Sequence, residues 1–138
     1  MKTTHINNMS KICTDLKQSR KLIELGLDPE TSDAHWWLNG NGFQLIPIPF
    51  KNDGSVPECV AKEVIPAWSL TALLDLMPII TKRLSHPPSL TKSIDGSGYF
   101  IEYPCYPNLP VYVNKNPVAV VYKAMVWLLE NGYIKPIK

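Results

Sequence analysis

Apolar side chains recur at nearly helical spacing close to the start of the chain. The apolar positions of this stretch are Met9, Ile12, Cys13, Leu16 and Ile23. A polar face with i, i+3, i+4, i+7 spacing accompanies them and consists of Lys17, Arg20, Lys21 and Glu24. The two faces predict an amphipathic helix over about residues 9–25. We expect Gly26 to end it in a left-handed cap, with Leu27 folding back on Leu22.

Two segments carry β-forming residues on both sides of a glycine-containing turn, and each predicts a hairpin. The first covers residues 34–50 and turns at Asn39-Gly40-Asn41-Gly42, where two Asn-Gly pairs leave the register open. Pro47 and Pro49 alternate along its second arm, which favours an edge strand. The second hairpin covers residues 89–103 around Asp95-Gly96, and a short strand is expected at residues 111–113.

Capping signals predict two short helical segments between these strands. Asp28 followed by Pro29 predicts one helical turn through residue 33. Ser69 is placed to cap a short helix, and Pro78 ends or kinks it. The apolar stripe of that helix consists of Leu70, Leu73, Leu74 and Met77.

The last helix carries the clearest boundary signals in the chain. Asn116 is an N-cap, Pro117 takes the first helical position and Gly132 ends the helix. Apolar residues occupy two of its faces, formed by Val118, Val121, Tyr122, Met125 and Leu129 and by Val120, Ala124 and Trp127. We therefore expect it to be enclosed on both sides, by its own sheet and by another layer or subunit.

Together these elements predict a single α+β domain over residues 1–138, in which about three helices pack on an antiparallel sheet built from hairpins. Residues 1–8 are expected to be a flexible tail. The chain contains 13 prolines, and 45% of its residues are apolar. This apolar fraction is enough to fill a core, so the prolines are expected to mark element boundaries in a folded protein.

Charge and cysteine content point to a soluble cytoplasmic protein. The net charge is only +2, but residues 1–25 and 81–138 are basic while residues 26–80 are acidic. The three cysteines form no C-x-x-C pair and are expected to be reduced. No signal peptide is recognised, and the most apolar run is too short to span a bilayer, so no membrane partner is expected.

No constellation of residues predicts catalysis. His5, His35 and His86 have no second metal-binding side chain at i+3 or i+4 on a predicted helix. Ser85 next to His86 is not a triad, and the glycine-bearing turns lack both the dinucleotide-binding pattern and the Walker lysine. The sequence therefore predicts no enzyme, no cofactor and no metal site.

The aromatic residues are the best candidates for an interface. Trp36 and Trp37 point to opposite faces of a strand, so at least one is exposed unless something covers it. Simple burial, a protein interface and ligand stacking all remain open for this pair. Trp127 and Tyr122, on the last helix, complete the candidate interface. Tyrosines near prolines, among them Tyr112, also suit peptide recognition, although packing in the core and in turns is the preferred interpretation.

Three blocks of the chain carry a resemblance to known proteins. They are ELGLDPETSDA at residues 24–34, IPAWSLTALLDLMP at 65–78 and NPVAVVYKAMVWLLENGYI at 116–134. In this order they resemble small uncharacterised proteins encoded by phages, prophages and mobile elements of gut anaerobic bacteria. The resemblance covers roughly a third of the chain. It implies a mobile-element origin, and no activity or catalytic residue comes with it.

The favoured hypothesis is a small non-enzymatic protein-interaction module of phage or mobile-element origin, with a protein partner or a second copy of the chain as its ligand. The alternative is a nucleic-acid-associated accessory factor that uses the basic segments. Its candidate contacts are Lys17, Arg20, Lys21, Lys82 and Arg83. An enzyme is the third hypothesis, and it requires a deep pocket with converging polar groups.

Overall fold

The secondary structure alternates short helices with antiparallel strands. A computed structural model of the chain describes residues 12–49, 64–78, 87–103 and 109–137. The helices are α1 (Leu16–Glu24), α2 (Leu70–Leu76) and α3 (Pro117–Glu130), with one 3-10 turn at Pro29–Thr31. The strands are β1 (Ala34–Asn39), β2 (Gly42–Ile46), β3 (Val64–Ala67), β4 (Ser89–Lys92), β5 (Tyr99–Glu102) and β6 (Val113–Asn114). The tail predicted at residues 1–8 lies outside the described residues.

α1 forms as predicted, but it begins later than the apolar spacing indicates. Asp15 is its N-cap: the Asp15 carboxylate accepts from the Gln18 backbone N–H at 2.7 Å, and Gln18 Oε1 accepts from the Asp15 N–H at 3.0 Å. This capping box starts the helix at Leu16. Residues 12–15 are not helical, since Cys13 forms an isolated antiparallel bridge with Ser69. The helix prediction is therefore wrong there, and its first residues lie outside the described chain.

The end of α1 confirms the predicted left-handed cap. Gly26 has a φ angle of 95°, and its N–H donates to the Ile23 carbonyl at 3.0 Å. The Leu27 N–H donates to the Leu22 carbonyl at 3.0 Å, which completes a Schellman motif. Both leucine side chains are buried in the main core. The 3-10 turn that follows starts from Asp28 as its N-cap, also as predicted.

The first predicted hairpin forms, and a strand from further along the chain joins it. β1 pairs with β2, with Asn39 opposite Gly42, and Gly42 supplies the positive φ angle of 103° that the turn needs. β1 also pairs with β3, so the strand order is β2-β1-β3. β3 was not predicted and contains Pro66, whose missing amide donor is tolerated because β3 is an edge strand. β2 is the other edge, but it ends at Ile46, ahead of the two prolines.

The second predicted hairpin forms in a separate sheet. β4 pairs with β5, and β5 pairs with β6, so the strand order is β4-β5-β6. The strand expected at residues 111–113 is observed at Val113–Asn114, shifted toward the C-terminus. The hairpins thus lie in two sheets of three strands rather than in one, because β1 pairs with β3 and not with a strand of the second hairpin.

A buried polar network fixes the segment before α1 against the junction of β3 and α2. The Thr14 N–H donates to the Trp68 carbonyl at 2.9 Å, and the Trp68 N–H donates to Thr14 Oγ1 at 3.1 Å. The hydroxyls of Thr14 and Ser19 lie 2.7 Å apart, and Trp36 Nε1 donates to the Thr14 carbonyl at 2.9 Å. All four residues are fully buried, so these bonds replace those lost to water.

α3 lies at the centre of the main core. Asn116 Oδ1 accepts from the Val118 N–H at 3.0 Å, and Asn131 is the C-cap before Gly132, so both predicted boundaries are confirmed. α3 contacts α1, α2, β5 and β6, and elements of the same chain therefore cover both of its apolar faces. Its buried residues are Val118, Val120, Val121, Ala124, Met125, Leu128 and Leu129.

A second, smaller core lies between α1 and the first sheet and contains Cys13, Ala34, Trp36 and Ala67. The described residues thus form a small α+β domain with three helices and two antiparallel sheets, which confirms the predicted fold class. Among them, no helix has both the length and the apolar character needed to cross a membrane.

Candidate functional site

A cleft of about 240 Å³ opens where α1, β6 and α3 meet. Polar side chains from all three elements line it: Gln18, Tyr112, Asn114, Tyr122 and Lys123. The apolar part of the lining consists of Val111, Val113, Ala119 and Val120. Because polar groups from distant parts of the sequence meet here beside apolar ones, we take this cleft as the candidate functional site.

The helix cap that starts α1 also orients Gln18 in the cleft. The Asp15 backbone N–H donates to Gln18 Oε1 at 3.0 Å, so the amide oxygen of Gln18 is turned toward the cap. A backbone N–H is a donor only, and this fixes which end of the amide faces it. The side-chain nitrogen of Gln18 is therefore the end that remains for a ligand.

Asn114 is oriented in the same way by the turn that leads into α3. Its Oδ1 accepts from the Asn116 backbone N–H at 2.8 Å. The backbone of Asn114 packs closely against Gly98, where an added Cβ atom would lie 2.3 Å from the Asn114 carbonyl oxygen. Gly98 also has a φ angle of 128°, so the position of β6 beside the second hairpin depends on a glycine there.

The two tyrosines of the cleft keep their phenolic protons. Burial raises the pKa of Tyr112 above its usual value, and the Glu130 carboxylate raises it further. Burial also raises the pKa of Tyr122, with Asp15 and Glu130 adding to the effect. Both hydroxyls are therefore protonated at neutral pH and can donate a hydrogen bond.

Two exposed apolar side chains lie at the start of β6 and just before it. Val111 is 72% exposed and Val113 is 49% exposed. Within the described residues β6 pairs only with β5, so its other edge has no neighbouring strand. The cleft is thus bordered by Val111 and Val113, next to the edge of β6 that has no neighbouring strand.

The two tryptophans of the predicted pair lie on opposite faces of β1, as expected, and differ in exposure. Trp36 has no exposed surface and lies in the smaller core, against which Leu16 of α1 packs, so simple burial is the alternative that the structure shows for it. Trp37, on the opposite face, is half-buried between the pairing positions Gln44 and Val64. Its Nε1 is buried and has no hydrogen-bond partner among the described residues.

The two candidate interface residues on α3, Trp127 and Tyr122, have different surroundings. Trp127 is half-buried and stacks on Tyr133, with ring centroids 5.3 Å apart and planes inclined by 14°. The ring of Tyr133 thus occupies one face of Trp127, which is then not available to a ligand. Tyr122 is half-buried and lines the cleft, so it is the predicted interface residue that the structure brings into the candidate site.

The basic candidates lie on the outer surface of α1 or outside the described chain. Lys17 and Arg20 are exposed and Lys21 is half-buried. The Arg20 guanidinium lies 6.0 Å from the centre of the Phe43 ring, at the limit of a cation–π contact. Arg20 also borders a second, mainly apolar depression of about 290 Å³ between α1 and β3. Lys82 and Arg83 fall outside the described residues.

The histidines and the described cysteine either make contacts within the fold or lie outside the described residues. His35 Nδ1 lies 2.8 Å from the Ile48 carbonyl oxygen, and His5 and His86 lie outside the described residues. Cys13 is a free, buried thiol, and burial raises its pKa to about 11. In the part of the chain that the structure describes, no three His, Cys, Asp or Glu side chains come together in a way that could hold a metal ion.

Gln18, Asn114 and Lys123 are the site residues that the sequence analysis missed. Gln18 carries a local signal, since it stands three residues after Asp15 in a capping box. That signal predicts a helix start, not a ligand site. Asn114 and Lys123 give no comparable signal, because their proximity depends on how β6 and α3 pack.

Protein-family models, curated proteins and solved structures were each compared with this chain, and none of the three comparisons gives a match. Family membership therefore adds nothing to the functional conclusion, and the resemblance to mobile-element proteins stays a prediction.

Proposed function

We propose that this chain is a small non-enzymatic protein-interaction module that binds through the open edge of β6, with a second copy of the chain as the simplest partner. The observation that carries the proposal is the exposure of Val111 and Val113, at 72% and 49%. Val113 begins β6, which pairs only with β5 among the described residues, and Val111 lies two residues before this strand.

Strand addition is the binding mode that suits this surface. An unpaired edge strand offers backbone donors and acceptors to an extended segment, and side chains at alternate positions add specificity. A second β6 pairing antiparallel with the first would relate the two copies by a two-fold axis, as in most homodimers. Because β6 is only Val113–Asn114, the interface is small and the association is expected to be weak.

Sedimentation equilibrium over a wide concentration range tests the proposal. We expect the wild-type mass to rise above 15.6 kDa with concentration. Val113→Lys should abolish the rise, since it places a charge on the apolar edge. Ile94→Ser is the matched control, because Ile94 is a fully exposed apolar residue in the turn of the second hairpin, and it should leave the association unchanged.

If sedimentation shows a monomer at every concentration, a second copy of the chain is excluded as the partner. A photo-crosslinking residue at position 113 then tests for another protein, with the same residue at position 94 as the control. Absence of any adduct specific to position 113, together with a strict monomer, overturns the proposal.

The mobile-element origin is part of the proposal and rests on the sequence resemblance alone. Its test is the genomic neighbourhood of the gene. Phage structural, integrase or transfer genes beside it would support this origin, and a neighbourhood of housekeeping genes would contradict it.

Nucleic-acid association is the second candidate function, and the exposure of Lys17 and Arg20 on one face of α1 favours it. Binding through such side chains must weaken steeply as salt rises, because it depends on release of counterions from phosphates. Gel shifts at low salt test it with the Lys17→Gln/Arg20→Gln variant as control. Equal shifts of the wild type and the variant, or no shift of either, would exclude this surface.

A further inference from the structure

In each side-chain amide of the cleft, the oxygen already accepts a backbone hydrogen bond, and the nitrogen remains to donate. The Asp15 backbone N–H occupies the oxygen of Gln18, and the Asn116 backbone N–H occupies the oxygen of Asn114. Neither amide nitrogen has a hydrogen-bond partner within the described ranges. What both side chains offer to a bound molecule is therefore the –NH₂ group.

The other polar groups of the cleft also donate. Lys123 is exposed, and its ammonium group has donors only. Tyr112 and Tyr122 keep their protons, since burial and nearby carboxylates raise the pKa of both phenols. A cleft bordered by donors from three elements favours a ligand group made of acceptors, and carboxylates and phosphates are such groups.

The charges around the cleft distinguish between these two anions. Burial is the main cause of the raised pKa of Tyr122, and the carboxylates of Asp15 and Glu130 raise it further, so these carboxylates also disfavour excess negative charge on a ligand. Lys123 is the cation that lines the cleft in the described chain. It balances a single negative charge, which suits a carboxylate better than a phosphate dianion.

The apolar lining indicates what is attached to the carboxylate. Val113 and Val120 line the cleft together with the donors, and a volume of about 240 Å³ admits a small aliphatic group. We infer that the cleft binds a carboxylate carried on a small apolar body, held by Gln18, Asn114 and Lys123. Either a free aliphatic acid or the C-terminus of a polypeptide supplies this group. The inference is independent of the proposed function, because a free acid can occupy the cleft whether or not β6 binds a protein.

NMR titration of the wild-type protein distinguishes the two sources. The probes are isovalerate, the peptide acetyl-Ala-Ala-Val with a free C-terminal carboxylate, the same peptide as its C-terminal amide, and inorganic phosphate. We expect saturable shifts of the Tyr112 and Asn114 signals with the carboxylate probes. The peptide amide should bind at least about tenfold more weakly, because it has lost the negative charge and one acceptor oxygen. Phosphate should also bind at least about tenfold more weakly, because it lacks the apolar body and its dianion exceeds the single charge that Lys123 balances. Tighter binding of isovalerate assigns a free acid, and tighter binding of the peptide acid assigns a chain terminus.

Two conservative variants test the donors without disturbing the fold. Gln18→Glu and Asn114→Asp keep the oxygen that accepts the backbone N–H, but they replace the –NH₂ donor with a negatively charged oxygen. Each should weaken carboxylate binding at least about tenfold. Gln44→Glu makes the same chemical change on β2, away from the cleft, and should bind as the wild type does. Thermal unfolding of each variant verifies that it is folded.

The inference is overturned if neither carboxylate probe gives a saturable shift up to tens of millimolar. It is also overturned if the peptide amide or phosphate binds as tightly as the carboxylate probes, or if folded Gln18→Glu and Asn114→Asp proteins keep the carboxylate affinity of the wild type. None of these results depends on the Val113→Lys variant or on sedimentation, so failure here is distinct from failure of the interaction proposal.

Discussion

Replacing Thr14 with valine removes one hydroxyl group from the interior while keeping the branched shape of the side chain. Thr14 has no exposed surface. Its Oγ1 accepts from the Trp68 N–H at 3.1 Å and lies 2.7 Å from the Ser19 hydroxyl. After the change, the Ser19 hydroxyl can turn to the Asp15 carbonyl one helical turn earlier, but the buried Trp68 N–H loses its acceptor.

The expected loss of stability follows from these two contacts. A buried N–H left without an acceptor costs about 1–3 kcal/mol, and the lost contact between hydroxyls adds about 0.5–1.5 kcal/mol. We therefore expect the free energy of unfolding of Thr14→Val to fall by about 2–4 kcal/mol. For a chain of this size, that corresponds to a decrease of about 10 °C in the unfolding midpoint.

Urea unfolding followed by tryptophan fluorescence measures this loss, and far-UV circular dichroism verifies the native fold. Thr14→Ser is the matched control, because it keeps the hydroxyl and loses only a methyl group, at a cost of about 1 kcal/mol. The double variant Thr14→Val/Ser19→Ala should lose less than the sum of the two single variants, since the two hydroxyls share one hydrogen bond.

Equal stability of the Thr14→Val and Thr14→Ser variants would refute the role assigned to the Thr14 hydroxyl. If their free energies of unfolding agree within about 0.5 kcal/mol, the Thr14 hydroxyl does not satisfy the Trp68 N–H in the folded protein. The attachment of the segment before α1 would then depend on backbone pairing and apolar contact alone.

Three further predictions concern backbone conformation, the core and pH. Gly98→Ala should lower the free energy of unfolding by more than about 2 kcal/mol, because the new Cβ would meet the backbone of β6. Gly96→Ala has open space around the new Cβ and should cost about 1–2 kcal/mol through its φ angle alone. Equal losses of the two variants in urea unfolding would contradict this. Leu128→Ala, in the fully buried face of α3, should cost about 2–5 kcal/mol, and the exposed Lys123→Ala less than about 0.5 kcal/mol, as measured by thermal unfolding. Burial raises the pKa of the Cys13 thiol from 9.0 to about 11, so its contribution to stability is complete below pH 9.0 and declines as pH rises toward 11. Cys13→Ala should flatten the dependence of the urea midpoint on pH in that window, and an unchanged slope would show that the thiol does not contribute.

The element boundaries that the sequence predicted best are those with a signal inside one turn of chain. Gly26 ends α1, Ser69 caps α2, and Asn116 caps α3, as predicted. Each signal acts through a dihedral preference or a hydrogen bond that spans at most four residues. The start of α1 fits the same rule, since a capping box at Asp15 begins the helix, whereas the apolar spacing alone runs back to residue 9.

The candidate site was far less predictable. Tyr122 was chosen for its aromatic character, and Gln18, Asn114 and Lys123 were not chosen at all. The amide of Gln18 and that of Asn114 face one cleft only because α1 and β6 pack on neighbouring parts of α3. Trp36 is the opposite case, because a residue proposed for an interface from its type alone is buried in the smaller core.

By itself, the sequence determined the number and type of most elements, the two hairpins and the α+β class, because turn glycines, prolines and caps act locally. Tertiary structure alone decided that β3 pairs with β1, that the hairpins lie in separate sheets and that Thr14 bonds to Trp68. Such pairings join segments far apart in the chain, and their free energy comes from burial and hydrogen bonding of the whole domain. For that reason no short window of the sequence encodes them.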